Sequence, residues 1–255
     1  MGSLAVVGSG IRPTQLTPEC RSAIVAADIV LYVVADSVTA ATIEGIAVES
    51  VDLGRLYAPD QNRRLTYATM VDRVFEEVDA GRHVCVVFYG HPGVFVDPGP
   101  EMMRRATSGG VKTIMLPGIS AADALYADLG LDPGRDGIQM FSATDFLLRR
   151  RDIDDSVPLV LWQMGAIGQE RGATEPERKY LGVLAERLAE IYLPGHRIVM
   201  YEAARIVGYP PSLDNGTVET LTGMPLTRAS TLFIPPARTV DVDAGVAEQL
   251  GLVDD

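Results

Sequence analysis

The stretch Phe88-Tyr89-Gly90-His91-Pro92-Gly93-Val94-Phe95 holds the residue types best suited to a ligand site in this chain. Its two glycines let a backbone approach a ligand closely, and Pro92 stiffens the loop. Val84-Cys85-Val86-Val87-Phe88, just ahead of it, is a continuous apolar run rich in β-branched residues, the mark of a buried parallel strand. A helical segment follows from about Glu101. Open α/β sheets hold ligands beyond the carboxyl ends of such strands. An ordinary βα turn has the same outline, so the loop does not decide the matter alone.

Two other places share this character. Gly8-Ser9-Gly10 follows a short strand, Ser3 to Val7, and a glycine pair there could admit a nucleotide. The third glycine of the dinucleotide fingerprint is missing, because the chain continues Ile11-Arg12-Pro13. The strand Lys112 to Leu116 ends in Pro117-Gly118-Ile119-Ser120-Ala121-Ala122-Asp123. Ser120 there caps a helix with Asp123 three positions on, and that helix start turns backbone N–H groups toward a cleft.

The elements that position these loops follow from punctuation and periodicity. Thr17 caps a helix with Pro18 at its first position, running to about Ala27. Ile29 to Val34 is a strand, Ser37 to Ile46 a helix, and Glu49 to Leu53 a short strand. A polar connection, Gly54 to Asn62, holds Tyr57, Pro59 and Asp60. Arg63 and Arg64 then open a helix with Tyr67, Met70, Val71, Val74 and Val78 on one stripe, ended by Gly81. On spacing alone Tyr67 is a core aromatic. Beyond Gly118 the spacing predicts strands at 138–141, 158–162, 197–201, 217–221 and 230–234, and helices at 144–151 and 175–192.

Composition excludes several classes. With 47% hydrophobic residues the chain can bury a core, and its net charge of -12 argues against broad affinity for nucleic acid or anionic membrane. No signal peptide opens it, no run is long and apolar enough to span a membrane, and the expected compartment is the cytoplasm. Cys20 and Cys85 lack metal-ligand spacing and, with three scattered histidines, predict no metal site.

Together these stretches resemble the tetrapyrrole methylases, the class III S-adenosylmethionine-dependent methyltransferases. The resemblance runs from Gly8-Ser9-Gly10 through Tyr89-Gly90-His91-Pro92 and Leu116-Pro117-Gly118-Ile119-Ser120-Ala121 to Ser230-Thr231-Leu232. His91 stands where many corrin and porphyrin methylases carry Asp. The stretch Phe88 to Val96, with Met115 to Ala121 and Ser142-Ala143-Thr144-Asp145-Phe146-Leu147, is similar to the borosin peptide α-N-methyltransferases, which methylate backbone amide nitrogens.

The resemblance implies a tetrapyrrole methylase-like α/β fold of two α/β subdomains with the cofactor cleft between them. The expected spans are 1–117, 118–238 and an acidic tail, 239–255. It implies S-adenosylmethionine as cofactor and S-adenosylhomocysteine as product. The matching cofactor positions are Tyr89, His91, Val94, Phe95, Ser120, Ala121, Gln163, Met164, Tyr201, Ala203 and Thr231, all of which follow predicted strands. Tyr57, Arg63 and Tyr67 fall on the borosin methyl-transfer positions, while a further family tyrosine falls on Gly54. The resemblance also implies a homodimer, or a heterotetramer with two precursor peptides.

This set suits the chemistry. An amide nitrogen is a poor nucleophile, because its lone pair is delocalised into the carbonyl. Methylation needs its proton removed and the imidate oxygen stabilised. A tyrosine titrates near about 10 unperturbed, and a neighbouring guanidinium favours its phenolate. Arg63 can do that, or hold the amide oxygen as charge grows. The alternatives are a tetrapyrrole or other small-molecule methyltransferase of the same fold, or an inactive module that binds S-adenosylmethionine or a peptide. Many borosins carry their substrate as a C-terminal extension. Here Ala237 to Asp255 follow the last strand, a length that could reach about 60 Å extended. They lack the apolar run of a methylated core, so the expected substrate is a separate precursor peptide.

Overall fold

The computed structural model describes residues 2–58, 61–169 and 176–252. The first sheet is built from β1 (Ser3–Gly8), β2 (Ile29–Val33), β3 (Ser50–Asp52), β4 (His83–Phe88) and β5 (Lys112–Leu116). Its order is β3-β2-β4-β1-β5, and every neighbouring pair is parallel. The connecting helices are α1 (Pro18–Ala26), α2 (Ser37–Glu44), α3 (Arg63–Asp79) and α4 (Pro98–Ser108). Alternation along the strands feeds two cores. Leu4, Val6, Val84, Val86 and Phe88 pack toward α3 and α4, with Met70, Val74 and Met102. Val7, Cys85 and Val87 pack toward α1 and α2, with Cys20, Ile24 and Ile43. A sheet covered on both faces needs apolar residues on both, and the inner strands β2, β4 and β1 are apolar at nearly every position, whereas the edge strands β3 and β5 carry Ser50, Asp52, Lys112 and Thr113.

After β5 come α5 (Ala121–Leu129), α6 (Pro133–Asp136), β6 (Gln139–Ser142), α7 (Ala143–Leu148), β7 (Leu159–Trp162) and α8 (Leu181–Ala189). The remaining elements are β8 (Arg197–Glu202), β9 (Ser212–Thr217), β10 (Thr231–Ile234) and α9 (Ala244–Gln249). The second sheet has the order β6-β7-β10-β8-β9. Only β6 and β7 run parallel; β7, β10, β8 and β9 pair antiparallel in turn. One face packs on α7 and α8 through Leu159, Leu161, Met200 and Leu232. The other packs Val160, Trp162, Val199 and Tyr201 on Leu125 of α5. Among the described residues no helix is long and apolar enough to cross a membrane.

Several boundaries differ from the sequence reading. The α4 helix starts at Pro98 rather than near Glu101, because proline is well tolerated in a first helical turn. The α7 helix stops at Leu148, and Arg149 is already extended. The long helix expected from Glu175 to Tyr192 spans Leu181–Ala189, and Glu175 lies outside the described residues, as do Pro59 and Asp60. The strand expected at 217–221 is a 3-10 helix, Val218–Gly223, capped reciprocally by Thr217 and Thr220. Val218 and Leu221 are both buried, and a spacing of three puts them on one side of such a helix. The strand that pairs with β8 is instead the polar edge segment β9.

Candidate active site

Three loops converge beyond the carboxyl ends of β1, β4 and β5. Gly10 N–H donates to the Gly90 carbonyl at 3.2 Å, and Gly90 N–H donates back to Gly10 at 3.0 Å. A Cβ on Gly8 would stand 2.7 Å from Gly118 Cα and closer still to the Gly90 carbonyl. Gly8 therefore serves the crossing of loops, and its missing side chain makes room for backbone rather than for a nucleotide.

Against this crossing lies a cavity of about 280 Å³. Its wall brings together Tyr89, His91, Val94 and Phe95 after β4, and Ser120 and Ala121 at the start of α5. Gln163 after β7, Tyr201 and Ala203 at the end of β8, and Thr231 opening β10 complete the far side. Tyr57 and Tyr67 line the same cavity. Of the residues expected from sequence, Arg63 and Met164 are absent from its wall.

Each wall residue is held by local structure. His91 Nδ1 accepts from Gly93 N–H at 3.0 Å, which fixes the ring over its own turn. The Ser120 hydroxyl and N–H both donate to Asp123 at 2.7 Å, forming the expected capping box. The next N–H groups, of Ala121 and Ala122, have no partner within the helix and lie at the cavity. Tyr201 donates to Asp128 at 2.7 Å and is 1% exposed. Among the described residues two other than glycine are left-handed, Phe95 at φ 54° and Gln163 at φ 61°. Both are cavity residues, and such strain persists where surrounding structure imposes it. Phe95 lies on Trp162 with ring centroids 5.7 Å apart.

The turn at Gln163 explains why Met164 fails as a wall residue. Val160 and Trp162 face α5, and alternation would send residue 164 the same way. The left-handed backbone at Gln163 reverses it, so Met164 is buried with Leu159 and Leu161 on the opposite face. Its N–H is taken by the Ser230 carbonyl at 3.2 Å.

The reacting set comes from the connection between β3 and α3. Asn62 caps α3 by accepting from Arg64 N–H at 2.8 Å, which places Arg63 in the first turn and Tyr67 one turn later on the same side. Tyr57 meets Tyr67 edge-on, with centroids 6.4 Å apart. Gly54, the position of the further family tyrosine, donates its N–H to the Asp52 carboxylate at 2.7 Å in a tight 3-10 turn.

The electrostatics modify the expected phenolate argument. Partial burial in the cavity, with 41% of the residue still exposed, then the neighbouring Tyr67 hydroxyl, raise the pKa of Tyr57 above its ordinary 10. Arg63 and Arg228 pull it back without offsetting the rise. Tyr57 rests as a neutral phenol, and both cations favour its ionised form. Burial likewise pushes Tyr89 up to about 12, and burial with the Asp128 hydrogen bond raises Tyr201. Trp162, Glu202 and Arg228 also line the cavity and were not singled out from sequence. Trp162 ends a predicted strand, which was the available signal. Arg228 sits in irregular chain and gave none.

The sequence model of the tetrapyrrole (corrin/porphyrin) methylases matches residues 3–205. The chain belongs to the tetrapyrrole methylase family. Two solved structures support the methylase fold. The uroporphyrin-III-C-methyltransferase of Thermus thermophilus superposes with a TM-score of 0.65 at 22% identity, over 100% of this chain and 98% of that one. A cobalt precorrin-4 methyltransferase superposes with a TM-score of 0.64 at 15% identity, over 91% of this chain and 94% of that one.

Curated relatives are closer in sequence. A methyltransferase/ribosomally synthesized cyclic peptide gymnopeptides precursor of Gymnopus fusipes is 38% identical over 99% of this chain and 61% of its own length. A methyltransferase/type I borosin cyclic peptide precursor of Coprinopsis marcescibilis is 38% identical over 92% of this chain and 62% of its own length. The omphalotin A precursor of Omphalotus olearius is 39% identical over 92% of this chain and 58% of its own. This chain thus spans about three fifths of the length of these relatives.

Proposed function

We propose that this methylase is an S-adenosylmethionine-dependent methyltransferase that methylates backbone amide nitrogens of a ribosomally made peptide. The observation that carries the reading is that Tyr57 and Tyr67 share one cavity with the strand-end residues. The names of the relatives, methyltransferases joined to cyclic-peptide precursors, support the substrate class.

The residues present fit the cofactor. The cavity, about 280 Å³, lies near the lower end of the roughly 300–1,000 Å³ usual for small-molecule sites. Aromatic walls of Tyr89, Phe95, Trp162 and Tyr201 suit a sulfonium by cation–π attraction. The N–H groups at the start of α5 suit its polar ends. When bound, S-adenosylmethionine supplies an electrophilic methyl group. The chain's part is to hold the amide nitrogen near that group, exclude water, and manage one proton. Tyr57 Oη or Tyr67 Oη, its own proton first released to solvent, takes the amide proton, and Arg63, outside the wall but favouring the ionised form of Tyr57, offsets the negative charge of the deprotonated site.

The same reading makes the peptide a second chain. Calorimetry with S-adenosylmethionine and S-adenosylhomocysteine, followed by mass spectrometry of synthetic peptides and of the protein after long incubation, tests the proposal. One site per chain and methyl groups mapped to peptide backbone nitrogens are expected. No heat from either ligand on folded protein would refute the cofactor reading. Methyl groups mapped to the protein's own tail would refute action on a second chain.

A further inference from the structure

Tyr57 shares its cavity with a second cation, itself partly in solvent, that comes from the other half of the chain. Arg228 is the second residue of the turn Thr227–Ser230, closed by Ser230 N–H donating to the Thr227 carbonyl at 3.3 Å. The turn is fixed at several more points. Thr227 N–H donates to Ser230 Oγ at 2.8 Å, and Ala229 N–H donates to Thr227 Oγ1 at 3.1 Å. Thr227 Oγ1 itself donates to Glu202 Oε2 at 2.6 Å, which ties the turn to the end of β8. Gly165 seats it against the loop after β7, where a Cβ would stand 2.7 Å from Arg228 Cα. A surface arginine on loose chain spends its time in water. This one springs from a backbone held on three sides, and it lines the cavity that Tyr57 lines.

We propose that Arg228 is a positioning residue of the methyl-transfer site that acts through Tyr57, sharing with Arg63 the negative charge that the site carries once it has lost a proton. The inference rests on the methyl-transfer reading above. Tyr57 Oη, its own proton released to solvent, takes the proton of the amide nitrogen. One unit of negative charge then passes from phenolate to amide without leaving the cleft. Two guanidiniums, one from α3 and one from the turn before β10, keep that charge affordable throughout. Among the described residues Tyr67 and Arg63 of α3 and Arg228 act on Tyr57, and the two arginines favour its ionised form; Tyr89, His91, Tyr201 and Glu202 are the other titratable groups on the same wall.

The test is a titration that needs no substrate. A fluorotyrosine, more acidic than tyrosine, is incorporated at position 57 and its ionisation followed by fluorine NMR. The backgrounds are the unaltered chain, Arg228→Gln and Arg228→Lys. Arg228→Gln should move the midpoint upward by roughly half a unit to one unit, while Arg228→Lys keeps most of the effect. An unchanged midpoint in Arg228→Gln, with the fold intact by circular dichroism, overturns the proposal. On any peptide that the unaltered enzyme methylates, Arg228→Gln should lower kcat at neutral pH about three- to tenfold, recovering as pH rises. A loss confined to KM at every pH would overturn it too, by making Arg228 a peptide-binding residue. Failure of the unaltered enzyme to methylate any peptide would count against the methyl-transfer reading, and the titration would still decide the coupling of Arg228 to Tyr57.

Discussion

The two sheets contribute to one cavity in different ways. The first sheet is all parallel and buried on both faces, and beyond its strand ends lie the polar groups suited to proton transfer, Tyr57 and Tyr67. The second is mostly antiparallel and supplies shape: Gln163 in a strained turn, Trp162 beneath Phe95, and Tyr201 locked to Asp128. Its charged cavity residues are Glu202, at the end of β8, and Arg228, on a turn rather than a strand. In a parallel sheet successive loops emerge at the same edge, so reactive groups collect there. An antiparallel sheet sends alternate loops to opposite ends, so fewer of them can reach the cleft.

If the division of labour is right, removing one hydroxyl from the first half should cost far more activity than stability. Tyr57→Phe and Tyr67→Phe keep the ring-to-ring contact of the pair and remove only the oxygens. The variant that loses the base should fall about 100- to 10,000-fold in kcat, with cofactor affinity and melting temperature nearly unchanged. Steady-state kinetics beside calorimetry makes the comparison. Full turnover in both variants would move the chemistry to the second half.

The same contrast governs what could be read from the sequence. β1, β2 and β4 were legible because two covered faces demand largely apolar runs, β5 because Ile114-Met115-Leu116 breaks at once into Pro117-Gly118, and the caps Thr17 and Ser120 because their side chains have one local task. β9, with the sequence Ser-Leu-Asp-Asn-Gly-Thr, was not legible: an edge strand is held by main-chain bonds to one neighbour, which leave no side-chain pattern. Most of the strand-end wall of the cavity was named through the family resemblance, and the predicted strands agreed with it. Met164 did not, because a single left-handed residue inverts the alternation that would have placed it. Arg228 was invisible for a related reason. Its position depends on Gly165 and Glu202, which are distant in the chain and carry no shared pattern.

A second way to break the comparison attacks the loop crossing. A Cβ on Gly118 would stand 2.8 Å from Gly8 Cα and closer to the Gly90 carbonyl, with backbone on every side and no flexible side chain to yield. Gly118→Ala should therefore destabilise the protein by about 2–3 kcal/mol and weaken cofactor binding with it. Chemical denaturation followed by calorimetry on the folded variant would show both. A wild-type midpoint would mean that the three loops are free to part, and that the first sheet holds the cavity less tightly than its packing indicates.

The smallest expected effect is the sharpest test of how the two halves carry strain. Phe95 and Gln163 are both left-handed, one from each half, and a side chain in that region costs roughly 1–2 kcal/mol. Glycine at either position removes the strain but enlarges the unfolded ensemble, so part of the gain is returned. At Gln163 nothing else among the named contacts is lost, because its carbonyl, not its side chain, accepts from Ala166 N–H at 2.9 Å. Gln163→Gly should stabilise by about 0.5–1 kcal/mol, or roughly 1–4 °C in a chain of this size. At Phe95 the ring contact with Trp162, worth about 0.5–1.5 kcal/mol, goes with the side chain. Phe95→Gly should therefore leave the melting temperature level or lower it. Thermal melts of the two variants side by side read the difference. Cofactor affinity should fall in Gln163→Gly even as stability rises, since the strained turn holds that side chain against the cavity. A lower melting temperature in Gln163→Gly would show that the turn is imposed by packing of the glutamine itself, and the second half would then hold its shape by contact, as the first does.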